Sequence, residues 1–132
     1  MDGMVRIVRT LPPGTVMAAS EHGELAAART DIVILDTLGL HDPETAMGGF
    51  SAARLTARRP GLIWLPHFHY SPAVRQLLED PVFRSDYIYV PDAYRYGVAV
   101  HRSEENLLAL LRTAFESDYP DAAWEQSVYR FK

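Results

Sequence analysis

The sequence contains no cysteine and a single lysine, Lys132. The first absence excludes a disulfide framework and any thiolate metal site, and it suits cytoplasm and periplasm alike. The second leaves twelve arginines as nearly all of the positive charge. They are scattered and form no basic stripe, and with a net charge of −4 the composition argues against a nucleic-acid binder. Long apolar stretches are missing too. Runs such as residues 32–35 and 107–111 fall far short of the roughly 20 residues that span a bilayer. Residues 1–9 lack the apolar core of a signal peptide, so the chain as given is expected to be soluble. No phosphate loop is written in the glycines: Gly14, Gly23, Gly39 and Gly48-Gly49 fit neither dinucleotide nor P-loop spacing. No cofactor is expected. Ser20 and Ser71 lie outside any Gly-x-Ser-x-Gly elbow, which disfavours a serine nucleophile.

What is present is an ordinary globular composition. The chain has 132 residues, 48% hydrophobic and 23% charged, which fits one domain burying about two thirds of its unfolded surface. The expected core covers about residues 11–118, and an aromatic tail with Trp124, Tyr129 and Phe131 follows over 119–132. That tail either docks on the body or packs on a partner.

Residues 5–11 read as the end of a helix stopped by Pro12-Pro13-Gly14, and residues 15–19 as a short β-prone run. Residues 21–28 read as a short helix. Residues 31–35 form a continuous β-branched run, the pattern of a strand covered on both faces. Asp42-Pro43-Glu44 opens a helix: aspartate caps it, proline takes the first turn, and glutamate suits the positive end. Residues 51–59 read as a helix ended by Pro60-Gly61, and residues 62–65 as a third buried strand. Ser71-Pro72 opens a helix to about Glu79. Residues 87–90 and 96–101 alternate as a hairpin. Ser103-Glu104-Glu105 caps a last helix with Leu107, Leu108 and Leu111 on one face. The expected class is therefore α/β: a small three-layer domain with a mostly parallel sheet of about three strands, plus a C-terminal antiparallel hairpin.

In such a sheet the loops after the parallel strands share one edge, where ligands usually sit. Those loops carry Ser20, Glu21 and His22; Asp36, His41 and Asp42; and His67, His69 and Tyr70. They are the candidate ligand-binding residues. Two imidazoles from His67-Phe68-His69 with the Asp36 carboxylate would suit zinc or iron(II). The commoner reading of His-x-His is a loop pair with no metal, and Asp36 more often organises its own turn. Tyr87, Tyr89, Tyr94 and Tyr96 with Trp64 offer aromatic faces suited to sugar stacking, or else half-buried sheet positions.

These residues carry a resemblance. Residues 15–19 followed by Gly23-Glu24-Leu25, then residues 31–35 and Asp36-Thr37-Leu38-Gly39-Leu40-His41-Asp42-Pro43, resemble the C-terminal soluble tails of bacterial polytopic GT-C-type glycosyltransferases. That family includes arabinofuranosyltransferase-like and mannosyltransferase-like members. Arg58-Arg59-Pro60-Gly61-Leu62-Ile63-Trp64-Leu65 resembles their third strand entry, and residues 87–101 their closing hairpin. The resemblance covers about residues 11–102. It departs at His41, where asparagine is usual, at Gly61, where aspartate is usual, and at Ala26-Ala27-Ala28, where aromatics often sit.

The resemblance implies a membrane enzyme that takes a sugar from a polyprenyl-phosphate donor and holds this domain on the extracytoplasmic, periplasmic face. Its catalytic carboxylates sit in loops near the first membrane helices, so no catalytic residue carries over. The domain's implied role is to bind or position a glycan or polyprenyl-linked sugar acceptor, without catalysis of its own. Two other readings stand beside it: a standalone α/β enzyme with a His/Asp metal or acid/base site, cytoplasmic if the chain is complete as given, and a protein-interaction module.

Overall fold

Five short apolar runs become strands, and their pairing decides where any site can lie. The computed structural model describes residues 2–19, 31–36, 51–65, 71–94 and 96–131. The strands are β1 (Val16–Ala19), β2 (Val33–Asp36), β3 (Leu62–Trp64), β4 (Tyr87–Val90) and β5 (Val98–His101), in the order β2-β1-β3-β5-β4. The helices are α1 (Asp2–Thr10), α2 (Ala52–Ala57), α3 (Ser71–Glu79), α4 (Pro81–Asp86), α5 (Glu105–Asp118) and α6 (Trp124–Ser127). The helices expected over residues 21–28 and from Asp42-Pro43 lie outside the described residues.

The class is α/β, but the sheet differs from the expected one. Among the described residues it is a single five-stranded mixed sheet, where about three mostly parallel strands with an added antiparallel hairpin were expected. β1 pairs in parallel with β2 and β3, while β5 pairs antiparallel with both β3 and β4. The hairpin is therefore built into the sheet: Leu62, Ile63 and Trp64 stand opposite Val100, Ala99 and Val98. A sequence period fixes which face each residue takes, but not which strand it meets.

Alternation along the strands makes two cores. Met17, Leu62, Trp64, Val90, Val98 and Val100 face α1 and α5. Ala18, Leu35, Ile63, Leu65, Tyr87 and Tyr89 join the residues of α2, α3 and α4 on the other face. β2 is an edge strand, and its Val33 is 48% exposed, so the run at 31–35 is not covered on both faces as its composition suggests.

The aromatic tail closes on the body. Trp124 is buried against Phe115 in the α1/α5 core. The Tyr129 N–H donates to the Tyr89 carbonyl at 2.7 Å, and Phe131 stacks on Tyr89. The chain thus crosses the open side of β4 and covers part of an edge that would otherwise present unpaired backbone groups.

The cap expected at Ser103 is not made. The α5 cap is Glu104, with no side-chain hydrogen bond, because the Ser103 side chain is engaged elsewhere. A true cap that the sequence reading omits stands at Asp80, whose carboxylate accepts from the Phe83 N–H at 2.9 Å and starts α4 at Pro81. Asp80-Pro81 is the same cap-then-proline signature as Asp42-Pro43.

Candidate functional site

The parallel ladders fix a common strand-end edge from the backbone upward. Ala19 stands beside Asp36, and Ala18 beside both Leu35 and Ile63. The chain therefore leaves β1, β2 and β3 at the same end of the sheet. Trp64 and Val90 both pair with Val98, so the β4–β5 turn, residues 91–97, closes that end as well. This is the end at which α/β sheets bind ligands.

Of the residues that the sequence places at this edge, Asp36 is described, as the last backbone position of β2. Ser20, Glu21, His22, His41, Asp42, His67, His69 and Tyr70 lie outside the described residues. The segments that carry them start from one edge. Among the described residues no three His, Asp or Glu side chains are grouped as a metal ion would need.

The aromatic set is not an open stacking platform. Trp64, Tyr87, Tyr89 and Tyr94 are all buried, with Tyr96 partly exposed. Their polar ends serve the fold. Trp64 Nε1 donates to the Tyr94 carbonyl at 2.8 Å, and the Tyr94 hydroxyl donates to Asp118 at 2.8 Å. The Tyr87 hydroxyl donates to the Pro60 carbonyl. Burial is the main force that pushes the Tyr89 phenol up to about 12, with the Asp92 charge adding to it. The Tyr87 and Tyr94 phenols go higher still, again chiefly through burial; Asp86 adds to the first, and the hydrogen bond to Asp118 to the second. These phenols stay protonated at neutral pH and carry no acid–base chemistry there.

The opposite end of the sheet holds a constellation that sequence reasoning missed. Arg59 adopts a left-handed backbone at φ 52°, uncommon for a side-chain-bearing residue. Its Nη2 donates to Ser103 Oγ at 3.1 Å, and its Nε lies 3.4 Å from His101 Nε2. His101 is buried, and its Nδ1 accepts from the Ser103 N–H at 3.1 Å, with Ser103 Oγ 2.7 Å away. A hydroxyl at that distance from an imidazole has the spacing of a nucleophile and its base. The rest of the geometry argues otherwise. The hydroxyl is two residues from its histidine and is shared with a guanidinium, and neither Ser103 nor His101 lines the neighbouring cleft of about 300 Å³ beside Thr15, Arg59 and Glu104. The group is a lock that ties the turn before β3 to the end of β5. No local signal announced it: a residue before proline favours an extended backbone, whereas Arg59 is left-handed.

The fold is a small mixed α/β sheet in which three parallel strands end at one edge. Comparison with known proteins adds no relative: no family model, curated protein or solved structure matches the chain. Among the described residues no helix is long and apolar enough to cross a membrane.

Proposed function

We propose that this chain is an extracytoplasmic α/β domain of a GT-C-like membrane glycosyltransferase, which binds or positions a glycan acceptor while sugar transfer takes place outside it. The observation that carries this reading is the shared edge. The block beginning at Asp36, which bears the resemblance, leaves β2 where β1 and β3 also end. β4 and β5, whose sequence carries the later part of the resemblance, pair antiparallel as a hairpin. An acceptor would meet this edge between the end of β2 at Asp36 and the turn that joins β4 to β5. Acceptor hydroxyls would then meet carboxylates and imidazoles from several loops, a mix of hydrogen-bond donors and acceptors suited to sugars.

The reading frame of the native gene upstream of Val5 tests the membrane part. A long series of apolar spans is expected there; a frame without them contradicts it. A standalone acid/base or metal enzyme at the same edge is the second reading, favoured by the histidines that the sequence places after β1, β2 and β3. Metal analysis separates the two. Stoichiometric zinc or iron, with a melting temperature lowered by chelation, supports the enzyme and counts against the acceptor domain.

A further inference from the structure

A cleft of about 480 Å³ opens beside β4, between α4, α5, α6 and the docked tail. Four guanidinium groups line it, from Arg84, Arg102, Arg112 and Arg130, with Glu125 as the acid among the lining residues. In a chain of net charge −4 this is a local reversal of sign, and such concentrations of one charge attract ligands of the other.

The four cations are not equivalent. Arg112 is matched by acids: its Nη2 lies 2.6 Å from Glu125 and its Nε 3.7 Å from Glu116. Arg84 and Arg102 instead donate through Nε to main-chain carbonyls, of Leu78 at 2.7 Å and of Ser85 at 3.1 Å. Anchoring through Nε fixes the plane of the fork, while the terminal nitrogens have no acceptor among the described residues. Arg84 is held a second time, with its guanidinium carbon 5.4 Å from the Phe131 ring centre. Arg130 has no hydrogen-bond or ion-pair partner among the described residues. The neighbouring acid, Asp86, accepts from the Ser85 hydroxyl at 2.9 Å. Ile88, Trp124 and the 48% exposed Tyr129 supply apolar and aromatic wall.

We propose that this cleft binds a phosphate ester. The phosphate is held by Arg84, Arg102 and Arg130, and the organic part rests against Tyr129 and Ile88. Three guanidinium groups whose terminal nitrogens have no acceptor among the described residues suit a tetrahedral dianion, whose oxygens can accept from several guanidinium groups at once, better than a single carboxylate. The cleft volume lies in the range of small-molecule sites, roughly 300–1,000 Å³, so there is room for more than the anion. A soluble phosphate ester and a lipid phosphate share this chemistry. Arg84 precedes β4 and Arg102 follows β5, at the end of the sheet opposite the strand exits, so this site stands independently of the acceptor reading.

The test has two arms on the full chain at low salt: titration with glycerol 3-phosphate, and co-sedimentation with phosphatidylcholine vesicles with and without phosphatidic acid. Saturable binding is expected in at least one arm. The double variant Arg102→Ala/Arg130→Ala should weaken it by about tenfold or more, because charge-assisted hydrogen bonds are lost. Arg130→Ala alone removes no hydrogen bond or ion pair among the described residues and should also weaken it, whereas Arg75→Ala on α3 should not. A response to glycerol 3-phosphate assigns a soluble ligand, and a response confined to phosphatidic acid vesicles assigns a lipid headgroup. No saturable binding in either arm, or an equal loss with Arg75→Ala, overturns the proposal.

Discussion

Arg59 shows how one residue can be held in a conformation that its own chemistry disfavours. A left-handed backbone costs a side-chain-bearing residue roughly 1–2 kcal/mol, and the contacts to Ser103 and His101 help to hold it there. Arg59→Ala keeps the strain and loses the contacts. Arg59→Gly loses the contacts and the strain together. The glycine variant should therefore be the more stable of the two by about 1 kcal/mol in urea unfolding, the reverse of their order within a helix. An alanine variant as stable as the glycine one would show that the turn at residue 59 carries no strain. Gly61 belongs to the same turn. A Cβ there would meet Leu107 Cδ1 at 2.8 Å, so a larger residue requires that leucine to shift.

Among the elements, helix starts show best what sequence can and cannot tell. Ser51 caps α2 by accepting from the Arg54 N–H at 3.2 Å, and Gln76 of α3 accepts the Ala52 N–H at 2.6 Å. The first bond is local and legible; the second joins residues far apart in the chain and has no local signature. Asp80 and Glu104 make a matched pair. Asp80→Ala removes a bonded cap and should cost about 1 kcal/mol, within the usual range for such losses. Glu104→Ala removes no cap bond and should leave the unfolding midpoint nearly unchanged; equal effects would contradict the assignment of the caps. Strands 62–65 and 87–90 were legible because buried runs of β-branched and aromatic residues have few other readings. The insertion of β5 between β3 and β4 was not, because strand order is set by which faces remain to be covered. The Arg59–His101–Ser103 lock was hidden for a related reason: Arg59 is far in sequence from the other two and meets them only when β5 pairs with β3. At the candidate site, the shared end of three parallel strands followed from the alternation of helices and strands alone.

For the molecule as a whole, the buried phenols set a limit on alkaline stability. In the unfolded chain a tyrosine ionises near 10, while in the fold Tyr89 is raised to about 12 and Tyr87 and Tyr94 further. A raised folded value means that the native state keeps protons which the unfolded chain releases. The contribution is complete below about pH 10, and it is lost as pH climbs through the folded value of Tyr89 near 12. Urea midpoints should fall over that window and change less over the pH units just below it; a flat profile would mean that the phenols are not shielded as the packing shows.

The central claim is that ligands meet this chain where β1, β2 and β3 end, and amide chemical-shift mapping during titration with arabinose- and mannose-containing oligosaccharides tests it most directly. The account predicts saturable shifts centred on Ala19, Asp36, Leu65 and the 91–97 turn. No saturable shifts, or shifts clustered at the far end of the sheet around Arg59 and His101, would contradict it.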